Sequence, residues 1–265
     1  MNSTVIDTKK LKAFCEGMYY VYARRELVYP DPLWYLYGYD DPLDREVVGL
    51  IAASLAYGRV SQIMKSVERV LACLGSRPRE FLLRNGDSEI VPSSFKHRFT
   101  TSEDMNNFLK NIGGILRKYD SVENFMGECL KASGGELFSS LDKFSDELSR
   151  NKREGSFSLM SAPRDGSPCK RLFLYLRWQV RTDEVDPGHW RVFSPSELLI
   201  PLDTHMLAIS RTLGFTSSSV PSLNAAKLIS NHFSSFSKTD PTKYDFPLTR
   251  FGIRSGLSKT FTSLS

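Results

Sequence analysis

The chain has 265 residues, 41% of them hydrophobic, and its 35 basic and 30 acidic residues leave a formal charge of +5. No apolar run approaches the ~20 residues of a membrane-spanning helix, and the first residues lack the apolar core of a secretory signal. We therefore expect a globular cytoplasmic protein with no membrane partner. The four cysteines are scattered without a CxxC pair, which argues against disulfides, zinc or an iron–sulfur cluster, so no metal or other cofactor is expected.

The first 43 residues are rich in aromatic side chains and are interrupted by three prolines. They form either a base-stacking surface or, as we prefer, an arm packed against a helical body. Asp44 is a predicted N-cap, and the apolar residues after it have helical spacing as far as Gly75. Small residues around Gly58 allow a ligand to approach closely, or simply a second helix to pack at a break.

Further helices are predicted along the chain by their capping residues. Thr101 with Asp104 has the pattern of a capping box, Ser121 and Ser222 resemble N-caps, and a polar connector spans residues 149–165. Residues 171–181 have the hydrophobicity of a strand or a buried helix. We favour the helix because Pro168 suits a first turn and leucine, glutamine and arginine favour helices. Asp203 caps a predicted helix that ends at Gly214. From the helical patterns along the chain we expect an all-α fold.

Two segments at the starts of predicted helices contain residues suited to chemistry: Gly166-Ser-Pro-Cys-Lys170 and Pro201-Leu-Asp-Thr-His205. Taken singly, Lys170 is an ordinary surface lysine and Asp203 an ordinary N-cap. Together they resemble the hairpin and the Val-Asp-Thr-His block of the helix-hairpin-helix (HhH-GPD) DNA glycosylase superfamily. Asp203 lies 33 residues after Lys170, a spacing nearest to the archaeal 8-oxoguanine DNA glycosylase branch.

A closer resemblance, over most of the chain, is to an uncharacterised bacterial domain-of-unknown-function family of conserved hypothetical proteins. It is carried by segments that stand here as Asp44-Arg-Glu-Val-Val-Gly-Leu-Ile-Ala-Ala-Ser-Leu-Ala-Tyr-Gly58, His97-Arg-Phe-Thr100, Cys169-Lys-Arg171, Leu176-Arg-Trp-Gln-Val-Arg181, Pro201-Leu-Asp-Thr-His205 and Asp240-Pro-Thr-Lys-Tyr-Asp-Phe246. That resemblance implies no assigned activity, so the functional expectations come from the glycosylase superfamily.

The superfamily resemblance implies a two-lobed helical fold with a cleft between the lobes. A six-helix lobe would span residues 44–182, and residues 1–43 with 183–265 would form the second. It also implies base excision from DNA with abasic-site lyase activity, in which Lys170 forms a Schiff base and Asp203 acts as an electrostatic and proton-transfer carboxylate. The lysine must first be neutral, and Arg171 with the apolar run after it would lower its pKa.

Binding roles follow from the same resemblance. The DNA backbone phosphate would be held by Gly166, Ser167, Cys169 and Arg171. The base pocket would be formed by Tyr57, Gly58, Arg59 and His205, although for His205 we prefer a helix-capping or packing role.

Two details of the sequence modify these expectations. Pro168 replaces the second glycine of the superfamily hairpin and removes one N–H donor. No cysteine follows Cys169, so the iron–sulfur cluster of some superfamily members is not expected. Positive charge is concentrated on one predicted helix and its start, at Lys170, Arg171, Arg177 and Arg181, and we expect it to lie beside the predicted cleft.

Our hypothesis is a monomeric, cofactor-independent DNA repair enzyme that excises an oxidised purine from damaged duplex or single-stranded DNA. One alternative is a non-catalytic nucleic-acid-binding helix-hairpin-helix protein. Another is a helical adaptor in which Lys170 is a surface residue and Asp203 only a cap.

Overall fold

A computed structural model describes residues 8–255, except for the side chains of residues 253–255. The described residues are mostly helical, as predicted, with one two-stranded antiparallel hairpin and four short 3₁₀ turns. The helices are α1 Thr8–Tyr22, α2 Pro42–Ser54, α3 Val60–Leu74, α4 Pro78–Asn85, α5 Ser102–Tyr119, α6 Val122–Ala132, α7 Leu137–Leu148, α8 Lys170–Val180, α9 Thr204–Thr212, α10 Leu223–Phe236 and α11 Asp245–Ser255. The hairpin pairs β1, Lys96–His97, with β2, Thr100–Thr101.

Local capping explains where most helices begin. Thr101 and Asp104 form the predicted capping box of α5, and Ser121, Asp203 and Ser222 cap α6, α9 and α10. These predictions are confirmed because a cap depends only on residues one turn apart.

The predicted N-cap at Asp44 is wrong. Helix α2 begins two residues earlier, at Pro42, and Asp41 caps it by accepting from the backbone N–H of Leu43. The buried Asp44 carboxylate instead accepts from the backbone N–H of Arg79, 2.8 Å away. Asp44 therefore joins α2 to the first turn of α4, a long-range contact that local spacing does not show.

The apolar run after Asp44 is broken into two helices at the small-residue segment, as one of the two interpretations predicted. Gly58 has φ +96°, a backbone conformation that favours glycine. The Arg98 side chain approaches it so closely that an added Cβ would lie 2.7 Å from the Arg98 Cδ. The break therefore also admits a neighbouring segment, the tip of the β1–β2 hairpin.

Helix α8 confirms the helical interpretation of residues 171–181, but Pro168 is not in its first turn. The helix begins at Lys170, after Cys169 in the left-handed conformation with φ 48°. Trp178 and Trp190 are both buried in the hydrophobic core. Two terminal helices were not predicted: α1 lies within the aromatic-rich segment, and α11 follows the helix that Ser222 caps.

Buried side chains form two hydrophobic clusters. The larger contains residues from Ala23 to Leu198 and also Phe246. The smaller contains Leu11 and Cys15 of α1 with residues of the chain from Ile200 to Phe251. The proposed lobe boundaries at residues 43 and 182 stay a prediction, and we note that Val28, Leu33 and Trp190 pack in the larger cluster.

None of the helices in the described part of the chain is both long and apolar enough to cross a membrane.

Candidate functional site

The structure brings together the two residues that the sequence singled out for chemistry. The Lys170 Nζ lies 3.0 Å from the Asp203 Oδ2, and the two side chains are 33% and 25% exposed. Lys170 is the first residue of α8 and Asp203 is the N-cap of α9. Two helix starts thus meet, and each contributes one side chain to a charged pair that solvent reaches.

The pair lies in the wall of a cleft of about 440 Å³. The cleft is lined by Ala56, Tyr57, Gly58, Ile63, Phe157, Ser161, Ser167, Pro168, Cys169, Lys170, Arg171, Leu172, Leu202, Asp203, Thr204, His205 and Pro221. Its walls therefore come from the α2–α3 connection, the segment before α8, the first turn of α8 and the start of α9.

The segment before α8 is shaped by two residues with positive φ. Gly166 ends the 3₁₀ turn Pro163–Asp165 with φ 70°, and Cys169 precedes the helix with φ 48°. The Cys169 thiol is buried and lies 3.3 Å from the carbonyl oxygen of Ser167. Burial raises the pKa of this thiol to about 11, so Cys169 is a structural residue and remains a neutral thiol near pH 7.

Helix α8 has no side-chain cap. The first N–H groups of a helix have no acceptor within the helix and carry the positive end of its dipole. Because Lys170 and Arg171 line the cleft, this helix terminus presents donors and positive charge there. An anion or another electron-rich ligand is favoured at such a position.

Asp203 makes two contacts, one through each carboxylate oxygen. Its Oδ1 accepts from the backbone N–H of Met206, 2.9 Å away, as an N-cap does, and its Oδ2 faces Lys170. Burial by itself would raise the pKa of Asp203, but the positive charge of Lys170 and the Met206 N–H outweigh it and hold that pKa below its usual value. The carboxylate is therefore ionised near neutral pH.

Arg171 is a cation without a carboxylate partner within 4.0 Å in the part of the chain that the structure describes. Its Nη1 donates to the carbonyl of Ser54 at 3.2 Å and its Nη2 to that of Ser158 at 2.6 Å. Its Cζ lies 5.2 Å from the ring centroid of Tyr57 and 4.6 Å from that of Phe157. Burial lowers the pKa of this guanidinium to about 10.

Tyr57 forms the aromatic part of the same wall. Its hydroxyl is 2.8 Å from the carbonyl oxygen of His97 and 2.7 Å from the Thr100 Oγ1. Its ring packs on Phe157, with the centroids 4.8 Å apart. The ring is thus fixed at both ends, by hydrogen bonds to the β1–β2 hairpin and by a neighbouring ring.

Most of the predicted site residues line this cleft. They are Tyr57, Gly58, Ser167, Cys169, Lys170, Arg171, Asp203 and His205. Gly166 and Arg59 are exposed and do not line it.

The expectation that Arg177 and Arg181 add positive charge beside the cleft is not met. Both side chains are buried in ion pairs with Asp186, and Arg177 also pairs with Asp245. Positive charge available to a ligand on α8 therefore belongs to its first turn alone.

A family model described as a protein of unknown function, DUF2400, matches residues 31–254 of the chain. The chain belongs to the DUF2400 family. The prediction of an uncharacterised domain family is thus confirmed. No curated protein and no solved structure matches the chain.

Sequence reasoning missed one aromatic residue of the site in this DUF2400 protein. Phe157 lies in the polar connector between α7 and α8, flanked by Ser156 and Ser158, yet it contacts Tyr57 and Arg171. The local signal is a short group of large apolar side chains within a polar segment, Phe157, Leu159 and Met160, and it does not reveal the contact. The remaining lining residues that were not predicted contribute mainly apolar or hydroxyl surface.

One carboxylate–histidine group in the described residues has atoms within 4.8 Å of one another, close enough to hold a metal: Glu46, Glu123 and His189. It does not line the cleft. Glu46 accepts from the backbone N–H groups of Val122 and Glu123 and from the Trp190 indole. Because these donors already occupy its oxygens, we explain the buried Glu46 as a carboxylate that accepts from the free N–H groups at the N-terminus of α6.

Proposed function

We propose that this DUF2400 protein is a DNA base-excision glycosylase with abasic-site lyase activity, with Lys170 as the nucleophile. The observation that carries the proposal is the pairing of Lys170 with Asp203 at 3.0 Å in the wall of an open cleft. The segments that contain these residues resemble the glycosylase superfamily, and an amine beside a carboxylate is the pair that this chemistry requires.

The 3.0 Å contact provides a direct path for the proton that must leave Lys170. When a nucleotide fills the cleft and excludes water, charge separation becomes less favourable and the ammonium transfers one proton to Asp203. The neutral Nζ then attacks C1′ of the sugar. The bond between C1′ and the base breaks, and the base leaves with the bonding electrons and is protonated.

The resulting aminoacetal opens to a Schiff base between Lys170 and C1′. Loss of a proton from C2′ and cleavage of the C3′–O bond then break the strand by β-elimination, with the phosphate as the leaving group. Hydrolysis of the imine releases the enzyme. Asp203 passes the proton that it took from Lys170 to the departing base. The carboxylate restored in this way stabilises the positive charge that develops on the sugar, moves the proton of the attached amine to the ring oxygen as the ring opens, and then accepts the proton lost from C2′.

Binding of the DNA backbone is proposed for the uncapped start of α8 and for the preceding Ser167, because free N–H groups and a hydroxyl suit a phosphate oxygen. Pro168 supplies no N–H, so the phosphate would be held by fewer donors than in the superfamily hairpin. Arg171 donates to two backbone carbonyls, and we propose that its remaining N–H groups donate to the base.

The cleft volume of about 440 Å³ lies within the range of roughly 300–1,000 Å³ found for small-molecule pockets. A nucleobase fits this range, and Tyr57, Phe157 and Arg171 offer flat faces for it. An oxidised purine is the substrate that the spacing resemblance favours. We propose that the protein acts as a monomer and needs no metal.

Borohydride trapping on an oligonucleotide with one abasic site tests the proposal, because reduction fixes the Schiff base as a stable adduct. We expect an adduct with the wild-type protein and none with Lys170→Ala. Lys131→Ala, which removes an exposed lysine paired with Glu128, is the matched control and should trap as the wild type does.

Circular dichroism and a binding titration at low salt complete the experiment. A folded Lys170→Ala variant that binds DNA without an adduct supports the assignment of the nucleophile. A wild-type protein that binds DNA but forms no adduct contradicts catalysis and supports the non-catalytic binding protein. Absence of DNA binding at low salt, where phosphate contacts are strongest, contradicts both the enzyme and the non-catalytic binding protein. A panel of single-lesion duplexes that includes 8-oxoguanine would identify the base.

A further inference from the structure

The β1–β2 hairpin ends in an exposed aromatic side chain next to the cleft. Its two-residue tip is Arg98–Phe99, and Arg98 has φ 51°. Phe99 is 62% exposed. One exposed apolar residue needs no explanation in itself, so the argument depends on how the hairpin is held and where it points.

The base of the hairpin is rigid although its tip is exposed. His97 and Thr100 are buried, and both contact Tyr57. The His97 Nδ1 is 2.9 Å from the Ser66 Oγ, and its Nε2 is 3.0 Å from the carbonyl oxygen of Tyr57. These contacts join the hairpin to α3 and to the cleft wall, so the position of Phe99 relative to the cleft is determined by the fold.

Phe99 continues the aromatic wall outward from the cleft. Its ring centroid is 5.7 Å from that of Phe157, which lines the cleft and lies 4.8 Å from Tyr57. Three rings therefore lead from the cleft interior to the hairpin tip. The hairpin tip therefore lies directly beside the cleft, because Phe99 contacts a residue that lines it.

The charges around the tip suit a nucleic acid. Arg98 is exposed, with its Cζ 5.3 Å from the Phe99 ring centroid. Lys96 is exposed on β1, and Arg59 is exposed beside Gly58, against which Arg98 packs. No acidic residue occurs between residues 90 and 102. An apolar ring surrounded by cations is the arrangement that proteins use to enter a base stack while contacting phosphates.

We propose that Phe99 is a wedge that enters duplex DNA at the place vacated by the nucleotide whose base occupies the cleft. Arg98 contacts the flanking phosphate. The inference rests on the proposed function and specifies its substrate: duplex DNA with the target nucleotide turned out of the stack, since an enzyme that reaches C1′ inside a duplex must unstack the base.

Phe99→Ala tests the wedge when borohydride trapping is compared on duplex and on single-stranded oligonucleotides of the same sequence that carry one 8-oxoguanine. Unstacking is required only in the duplex. We expect the rate on the duplex to fall by about 10- to 100-fold, because unstacking is the costly step, and the rate on the single strand to stay as in the wild type. Phe99→Trp should restore the duplex rate. Tyr20→Ala, which removes a ring that is 75% exposed on α1, is the matched control.

A second readout does not depend on catalysis. A duplex with a non-reactive tetrahydrofuran abasic analogue and a neighbouring 2-aminopurine should gain fluorescence when the wild-type protein binds, but not when Phe99→Ala binds. A wild-type adduct without this gain overturns the wedge and leaves the proposed function standing. The gain without any adduct supports the wedge and overturns catalysis by Lys170. An equal loss by Phe99→Ala on duplex and single strand would show that Phe99 stacks on a base of a single strand, which also overturns the wedge.

Discussion

The Asp203 side chain makes a different contact with each of its two carboxylate oxygens. One oxygen caps α9 and the other contacts Lys170, 3.0 Å away. Since asparagine is as good an N-cap as aspartate, Asp203→Asn removes the negative charge and keeps the cap. This substitution separates the two roles.

We predict that Asp203→Asn binds DNA as the wild type does and excises bases about 10²- to 10⁴-fold more slowly, the usual contribution of a positioned acid or base. The free energy of unfolding should change by less than about 1 kcal/mol at pH 7, because the pair is partly exposed. Single-turnover excision assays and urea denaturation measure the two effects. Asp146→Asn, at an exposed ion pair with Arg164, is the control, and an unchanged excision rate in Asp203→Asn would show that our assignment is wrong.

The same charge has a consequence for acid stability. Because the pKa of Asp203 is lower in the folded protein, its ionisation stabilises the fold at pH values above the unfolded pKa of about 3.9. That contribution is lost as the pH falls through the lower folded pKa. The Asp203→Asn variant lacks this contribution at every pH.

Helix α5 is an example of a helix whose first residue can be predicted from the local sequence. The Thr101 Oγ1 accepts from the backbone N–H of Asp104 at 3.2 Å, and the Asp104 carboxylate accepts from the backbone N–H of Thr101 at 2.9 Å. Both partners lie within one turn, so the pattern of residue types was sufficient. Asp44 had an equally good pattern, but the cap belongs to Asp41, and only the neighbouring α4 explains why Asp44 is buried.

We predict that Thr101→Ala lowers the free energy of unfolding by about 1 kcal/mol, the typical effect of losing a threonine N-cap. The midpoint of urea unfolding reports it, with an unchanged slope. In Thr212→Ala the lost hydroxyl bonds only the carbonyl of Ala208 within α9, so that control should remain within about 0.5 kcal/mol of the wild type. A Thr101→Ala protein as stable as the control would show that the capping box does not contribute.

At the scale of the whole molecule, buried ion pairs join α8 to the segments that follow it. Arg177 pairs with Asp186 and Asp245, and Arg181 pairs with Asp186 and Asp240. Asp245 begins α11, which packs on α9. The network therefore links the helix that carries Lys170 to the helix pair that carries Asp203, and we infer that it positions these two side chains relative to each other.

We predict that Arg177→Met lowers the free energy of unfolding by about 3–5 kcal/mol at pH 7, because it leaves buried carboxylates without their cation. Burial already raises the pKa of Asp245 to about 6, against the lowering effect of Arg177, and removing Arg177 raises it further. A group whose pKa is higher in the folded protein loses stabilisation as the pH rises, so the deficit should shrink when the pH is lowered from 7 to 5. Arg164→Met, at an exposed pair, should change stability by less than about 1 kcal/mol; a pH-independent deficit in Arg177→Met would contradict this account.

The sequence by itself determined the helical class, the starts of α5, α6, α9 and α10, the helix at residues 171–181 and the candidate pair Lys170 and Asp203. These properties depend on residue types within a turn or two, or on two short motifs. Tertiary structure alone decided that Lys170 and Asp203 are in contact, that Arg177 and Arg181 are buried, and that Phe99 continues an aromatic wall through Phe157. Each depends on which distant segments pack together, and burial and long-range charge pairing are properties of that packing that local periodicity does not encode.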